Sequence, residues 1–377
     1  ADLYWGYYQQ NRHKILDRSE IVLQESDDIE DWSLSRFMQR IIAHYKASLE
    51  DVELLKKTKI DQFDLILQEA DSSEIYRPSL YDFLAHRAID FFMNDENALN
   101  KPASVFLIDD EKYFAPAPEF AKLELQSSDS LSLKFHALQI LQDLIAFHLQ
   151  DEEPAALIDV DLKRLDFVLQ NTAGISQPDS LYLSALEHLK EKYAQSPAVA
   201  DVYYKMAQKY RELGSKYHPY NAAEHRRELK KAVELCREAI RRFPGTRGAH
   251  NCRVIKEQIE QPSVRITTAG IEIPDQPIAA LLSWKNSAST NIKIIRASEE
   301  KYREMQRSRR GKALIEFYAG KEAFKSKSVK LPDTEDYQEH ATQIALPELP
   351  LGFYILLISS EQNGENSDPE KDMPDAY

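Results

Sequence analysis

Two cysteines, ten histidines and one dense run of arginines are the residues of this 377-residue chain whose chemistry could reach beyond packing. Cys236 and Cys252 fall on apolar faces of two consecutive predicted helices, at nearly equal distances before and after a Phe243-Pro244-Gly245 turn. On antiparallel helices such spacing brings two side chains to the same height. Either a disulfide staples the hairpin or two buried thiols pack as small hydrophobes. A bridge would imply an oxidising compartment. His218 and His225 flank a Pro-Tyr-Asn turn; two ligands without a third do not make a zinc site, so they read as solvated loop histidines. Asp159 and Asp161 have calcium-loop spacing in "DVDLKRLD", but Lys163 takes the next ligand position and the loop glycine is missing. That segment reads instead as a helix start, with acids near the positive end of its dipole.

Arg303, Arg307, Arg309, Arg310 and Lys312 form the one local reversal of charge in a chain of net charge −14. The run reads as a solvated loop or short helix, or as a docking patch for an acidic surface, another domain of the same polypeptide included. No H-E-x-x-H, G-x-S-x-G, Walker motif, G-x-G-x-x-G or C-x-x-C occurs, and the carboxylates are scattered over polar faces. With no nucleophile, base and stabiliser in view, the chain is expected to be no enzyme and to hold no cofactor or metal. The net charge repels phosphate backbones and anionic lipid, so nucleic acid is not an expected partner. No run reaches the length of a membrane span.

The elements that position these residues are of two kinds. Residues 1–153 carry long amphipathic helical patterns. Leu34, Phe37, Met38, Ile41, Ile42 and Tyr45 make one stripe, and Leu80, Phe83, Leu84, Ala88 and Phe91 another, opened by a Ser79/Asp82 capping box. Leu133, Leu138, Leu141, Leu144, Ile145 and Leu149 make a third. Residues 154–262 show a tetratricopeptide-like period. Tyr203, Met206, Ala207, Tyr210 and Gly214 occupy first-helix positions, and Ala232, Cys236, Ala239 and Pro244 second-helix positions. An insertion carrying Tyr217 and Tyr220 separates the two halves. At Pro262 the texture changes to six short β-branched and aromatic runs between Pro, Gly, Asn and Asp, which predict a β-sandwich over 263–360. Residues 361–377 are acidic and nearly devoid of apolar side chains, and are expected to be disordered. The fold class expected is therefore α+β multidomain, an all-α, tetratricopeptide-like region followed by a sandwich.

Five stretches together resemble one family. "SLYDFLAHRAIDFF", "LQILQDLIAFHLQD", "IDVDLKRLDFVLQN", "CREAIRRFPGTRGAHNCRVIKEQI" and "LPELPLGFYILLISS" are similar, in this order, to the N-terminal region of large bacterial alpha-2-macroglobulin-like proteins of the Bacteroidetes type. In that family a helical, tetratricopeptide-like region precedes macroglobulin-type sandwich domains. Leu346, Pro347, Leu349, Pro350, Gly352 and Tyr354 match the turn and final strand of such a domain, and "LLSWKNSASTNIKIIRAS" its central hairpin. The resemblance implies a non-catalytic scaffold and interaction segment of a protease inhibitor of the cell envelope. It implies a piece of a longer polypeptide, exported and periplasmic or anchored to the outer membrane through its parent. Its partners would be the downstream domains of that polypeptide, proteases or an envelope protein. The Cys-Gly-Glu-Gln thioester of covalent trapping members does not occur here, and neither cysteine matches it. The alternative is a free-standing tetratricopeptide adaptor binding a peptide or protein in a groove lined by Tyr203, Tyr204, Tyr210, Tyr217 and Tyr220.

Overall fold

The computed structural model describes residues 1–16, 28–67, 73–94, 106–361 and 375–376. It is a mixed structure, helical in its N-terminal region and ending in small antiparallel sheets. The chain divides into two compact units, residues 1–203 and 204–377.

The first unit contains α1 (Asp2–Leu16), α2 (Leu34–Ala47), α3 (Val52–Lys57), α4 (Leu80–Phe92), α5 (Ala117–Phe120), α6 (Leu133–His148), α7 (Ala155–Asn171), α8 (Pro178–Lys192) and the start of α9 (Val199–Ser215). The α2 stripe is buried as its spacing requires, and Ser33 caps the helix by accepting from the Arg36 amide. In α4 the Ser79/Asp82 capping box is present, but the buried face is rotated from the expected one. Tyr81, Ala85, Ala88, Ile89, Phe91 and Phe92 are buried, whereas Leu80, Phe83 and Leu84 are only half-buried. The rotation carries Asp82 and His86 inside, where a polar network holds them. Asp82 Oδ2 takes the Ser79 amide and hydroxyl at 2.9 and 2.7 Å, and Asp82 Oδ1 meets His148 Nε2 at 2.7 Å. His148 Nδ1 lies 2.7 Å from Asp151 Oδ2. Two carboxylates on one imidazole mean that both ring nitrogens donate. Burial alone would push His148 down, but the bonds to Asp82 and Asp151 hold it above the ordinary imidazole range. His86 is the reverse case: burial, then Arg77, Lys163 and His148, depress it to about 2, so it stays neutral.

Helix α7 begins at Ala155, just after Pro154, so Asp159 and Asp161 lie beyond its first turn and not at its dipole end. Asp161 instead pairs with fully buried Arg164 at 2.6 Å. The guanidinium also donates to the Tyr113 carbonyl at 2.6 Å and sits 4.5 Å over the Phe120 ring. Burial pushes the Asp161 carboxyl up, against the pull of Arg164. Helix α6 packs on α7 and α7 on α8, across the expected boundary at 153/154.

The second unit continues α9 into α10 (Glu228–Arg242) and α11 (Arg247–Glu260). A Cβ built on Gly214 would stand 2.7 Å from the Leu229 side chain, which is why a glycine occupies that close approach. All six predicted strand runs are strands: β1 (Ser263–Thr267), β2 (Ile278–Lys285), β3 (Ser289–Ala297), then after α12 (Glu299–Ser308) and α13 (Lys312–Ala319) β4 (Lys325–Lys330), β5 (His340–Leu346) and β6 (Phe353–Glu361). A two-residue β7 (Asp375–Ala376) follows. The sheets are antiparallel, ordered β1-β2-β5 and β4-β3-β6-β7. They share one core: Val264, Ile266, Ala280, Leu282 and Trp284 from the first, Ile292, Ile294 and Ile358 from the second. The expected disordered tail at 361–377 lies mostly outside the described residues. Of it, Glu361 ends β6, and Asp375 and Ala376 pair with Ile358 and Leu357.

Candidate interaction surface

The turn into β6 explains the Leu-Pro-x-Leu-Pro-x-Gly-x-Tyr spacing. Leu346 and Leu349 enter the shared core, while the Leu349 carbonyl accepts from the Asp275 amide at 2.9 Å. Tyr354 folds back so that its hydroxyl donates to the Pro350 carbonyl at 2.9 Å. Gly352 lies against that ring, where a Cβ would come within 3.2 Å of it. Leu346, Leu349, the Pro350 carbonyl, Gly352 and Tyr354 thus take part in closing one corner.

At the other end of these strands the helices meet the sheets through paired charges. Asp336, buried, accepts from Arg226 Nε at 2.7 Å, from His340 Nε2 at 3.0 Å and from the Gln338 amide at 3.1 Å. Burial would raise this carboxyl, but the hydrogen bonds from His340, Arg226 and Gln338 hold it below the usual range. Gln338 donates to the Gly214 carbonyl at 3.0 Å, Arg237 to Glu260 at 2.6 Å and to Tyr337 at 3.2 Å, and Asn286 to the Ile259 carbonyl at 2.7 Å. Helices and sheets therefore form one unit across Pro262, where the sequence pattern places a boundary.

The charged segment between β3 and β4 is two helices. Ser298 caps α12 by accepting from the Lys301 amide, Glu299 and Glu300 occupy its first turn, and Arg307 its last, the arrangement a helix dipole favours. The insert covers the outer face of the second sheet. Ile295, Ile355 and Leu357 pack there with Tyr318, Tyr302, Met305, Leu314 and Phe317. This cover accounts for the unbroken apolar run of β6, which has no solvent face to fill with polar residues.

The insert's cations differ from those of the junction. Arg303 pairs with Glu299 at 2.6 Å within α12, and Arg309 lies 4.8 Å over the Phe317 ring. Lys301, Arg307, Arg310, Lys312 and Lys321 have no carboxylate partner among the described residues. Over residues 296–312, seven cations face three carboxylates, so the segment carries net positive charge within an acidic chain. Beside it lies a cleft of about 500 Å³, lined by Arg296, Lys301, Phe317, Tyr318, Lys321 and Glu322 among others. Tyr318 is 4 % exposed, and its hydroxyl is buried with no hydrogen-bond partner among the described residues. Burial pushes the phenol up. An unmade bond at a buried hydroxyl costs roughly 1–3 kcal/mol.

The remaining sequence-predicted residues are dispersed. Cys236 on α10 and Cys252 on α11 are both buried and form no disulfide in this structure. Tyr217 is half-buried and Tyr220 is 88 % exposed, close to His218. Tyr203 is buried, and Tyr204 and Tyr210 half-buried. His218 is exposed and His225 half-buried; no group of three metal-ligating side chains occurs among the described residues. None of the described helices is long and apolar enough to cross a membrane. Sequence reading singled out the arginines but missed Arg296, Lys301, Tyr318 and Lys321, which only the folding of α13 against β3 brings together. The signal available was the two-sided apolar pattern of β6, which requires a cover from elsewhere in the chain. Comparison of the chain with family models, characterised proteins and solved structures finds no match.

Proposed function

We propose that this chain is a non-catalytic scaffold and interaction segment of a larger, macroglobulin-like protease inhibitor of the cell envelope. The observation that carries the reading is the corner at Leu346–Tyr354. Five of the six residues that resemble the family's motif, Leu346, Leu349, Pro350, Gly352 and Tyr354, have a packing, steric or hydrogen-bonding role there, and the tyrosine-to-backbone bond is of the kind that fixes strand corners in β-sandwiches. The two sheets with a common core support a sandwich, and the close approach at Gly214 supports tetratricopeptide-like packing of α9 on α10. Inhibition, in this reading, belongs to downstream domains, and this segment positions them.

The test is the mass and location of the native polypeptide. An antibody against this chain, used on fractionated source cells, is expected to detect a band several times heavier than 43.5 kDa in the envelope. A band near 43.5 kDa outside the envelope would overturn the reading and favour a free-standing adaptor.

A further inference from the structure

The cleft between the α12–α13 insert and β3 combines three features. Its lining carries three cations, Arg296, Lys301 and Lys321, against the single carboxylate of Glu322. Arg296 is engaged with the Leu351 carbonyl at 3.2 Å and Lys321 lies 4.6 Å over the Phe317 ring, yet neither Lys301 nor Lys321 meets a carboxylate among the described residues. Tyr318 lines the same cleft, and its buried hydroxyl has no hydrogen-bond partner among the described residues. A lining of this charge and polarity is complementary to an anion.

We propose that this cleft binds a carboxylate of an acidic polypeptide segment, with Lys301 and Lys321 supplying the charge and Tyr318 Oη a hydrogen bond. Glu322 decides the class of anion. A densely charged phosphate would meet its repulsion more strongly than a single carboxylate, and Ile295, Ala297 and Phe317 line the cleft beside the two lysines, where they would meet the apolar part of an adjoining chain. Arg307, Arg310 and Lys312, outside the cleft and without a carboxylate partner among the described residues, would steer such a segment toward it without contacting it. The proposal stands on the cleft and is independent of the macroglobulin reading.

The test is fluorescence anisotropy of labelled hexaglutamate titrated with the whole chain, with hexaglutamine as control. Saturable binding of hexaglutamate alone is expected. Replacing Lys301→Ala and Lys321→Ala together should weaken it about tenfold or more. Tyr318→Phe should weaken it about three- to tenfold while leaving the melting temperature unchanged or higher, since the hydroxyl has no bond to lose in the unliganded protein. Arg307→Ala with Arg310→Ala should change affinity less than about twofold. The proposal is overturned if hexaglutamate does not bind, or if tripolyphosphate displaces it more effectively than unlabelled hexaglutamate does. It is equally overturned if Tyr318→Phe lowers the melting temperature with affinity intact, or if the outer arginine pair matters as much as the lysines.

Discussion

Charge is used in opposite ways at the helix–sheet junction and on the insert of the second unit. At the junction Arg226, Asp336, His340 and Gln338 satisfy one another, and Arg237 is tied to Glu260 and Tyr337. The buried Asp161–Arg164 pair of the first unit follows the same rule. On the insert, Lys301, Arg307, Arg310, Lys312 and Lys321 are left without carboxylates among the described residues. Charges that close on themselves stabilise a fold; charges left open contribute nothing to it and are available to a partner. On the proposal made above, the partner-facing surface of this unit is the one on α12 and α13.

The comparison breaks most sharply at the buried pair. Asp161→Ala strands the Arg164 guanidinium among apolar groups and should destabilise the first unit by about 3–5 kcal/mol, read by chemical denaturation. A loss under about 1 kcal/mol would mean that the pair is not what holds Arg164 in place. At the junction, Asp336→Ala removes the shared acceptor of Arg226, His340 and the Gln338 amide and should cost roughly 1–3 kcal/mol in the second unit. Neutralising Arg307 and Arg310 should shift stability by no more than about 0.5 kcal/mol. If the insert pair cost as much as Asp336, the division between closed and open charge would fail.

Titration sharpens the contrast inside the first unit. His148 is held above its unfolded value, so its contribution is fully present below about pH 6.5 and is lost as pH rises through the folded value. His86 is depressed to about 2, so its neutral burial loses stability as pH falls from about 6.5. The stability difference between the wild type and His148→Gln should therefore shrink as pH is raised above about 6.5. A difference that widens toward alkaline pH would show that His148 is not charged between its two aspartates.

How far the sequence reveals this molecule depends on the range of the interaction. The α2 stripe, the Ser79/Asp82 box and all six strand runs are legible because periodicity and capping act within a few residues. The rotated face of α4 is not, because Asp82 is drawn inward by His148, 66 residues away. The boundary at Pro262 is a true change of texture, but the contacts of Asp336 with Arg226 and of Gln338 with Gly214 join what the pattern separates. The arginine run is plain in the sequence. The cleft beside it is not, since Tyr318 and Lys301 are neighbours only once two helices fold onto β3.

The central claim, that the insert rather than the junction meets a partner, is tested most directly by zero-length carbodiimide cross-linking of the native protein in its source cells, followed by peptide mass spectrometry. The account predicts cross-links from Lys301, Lys312 and Lys321 to acidic segments outside residues 1–377, well above those from Lys230, which pairs with Glu335 at 3.6 Å at the junction. Cross-links distributed evenly over the surface lysines, or absent from the insert, would contradict it.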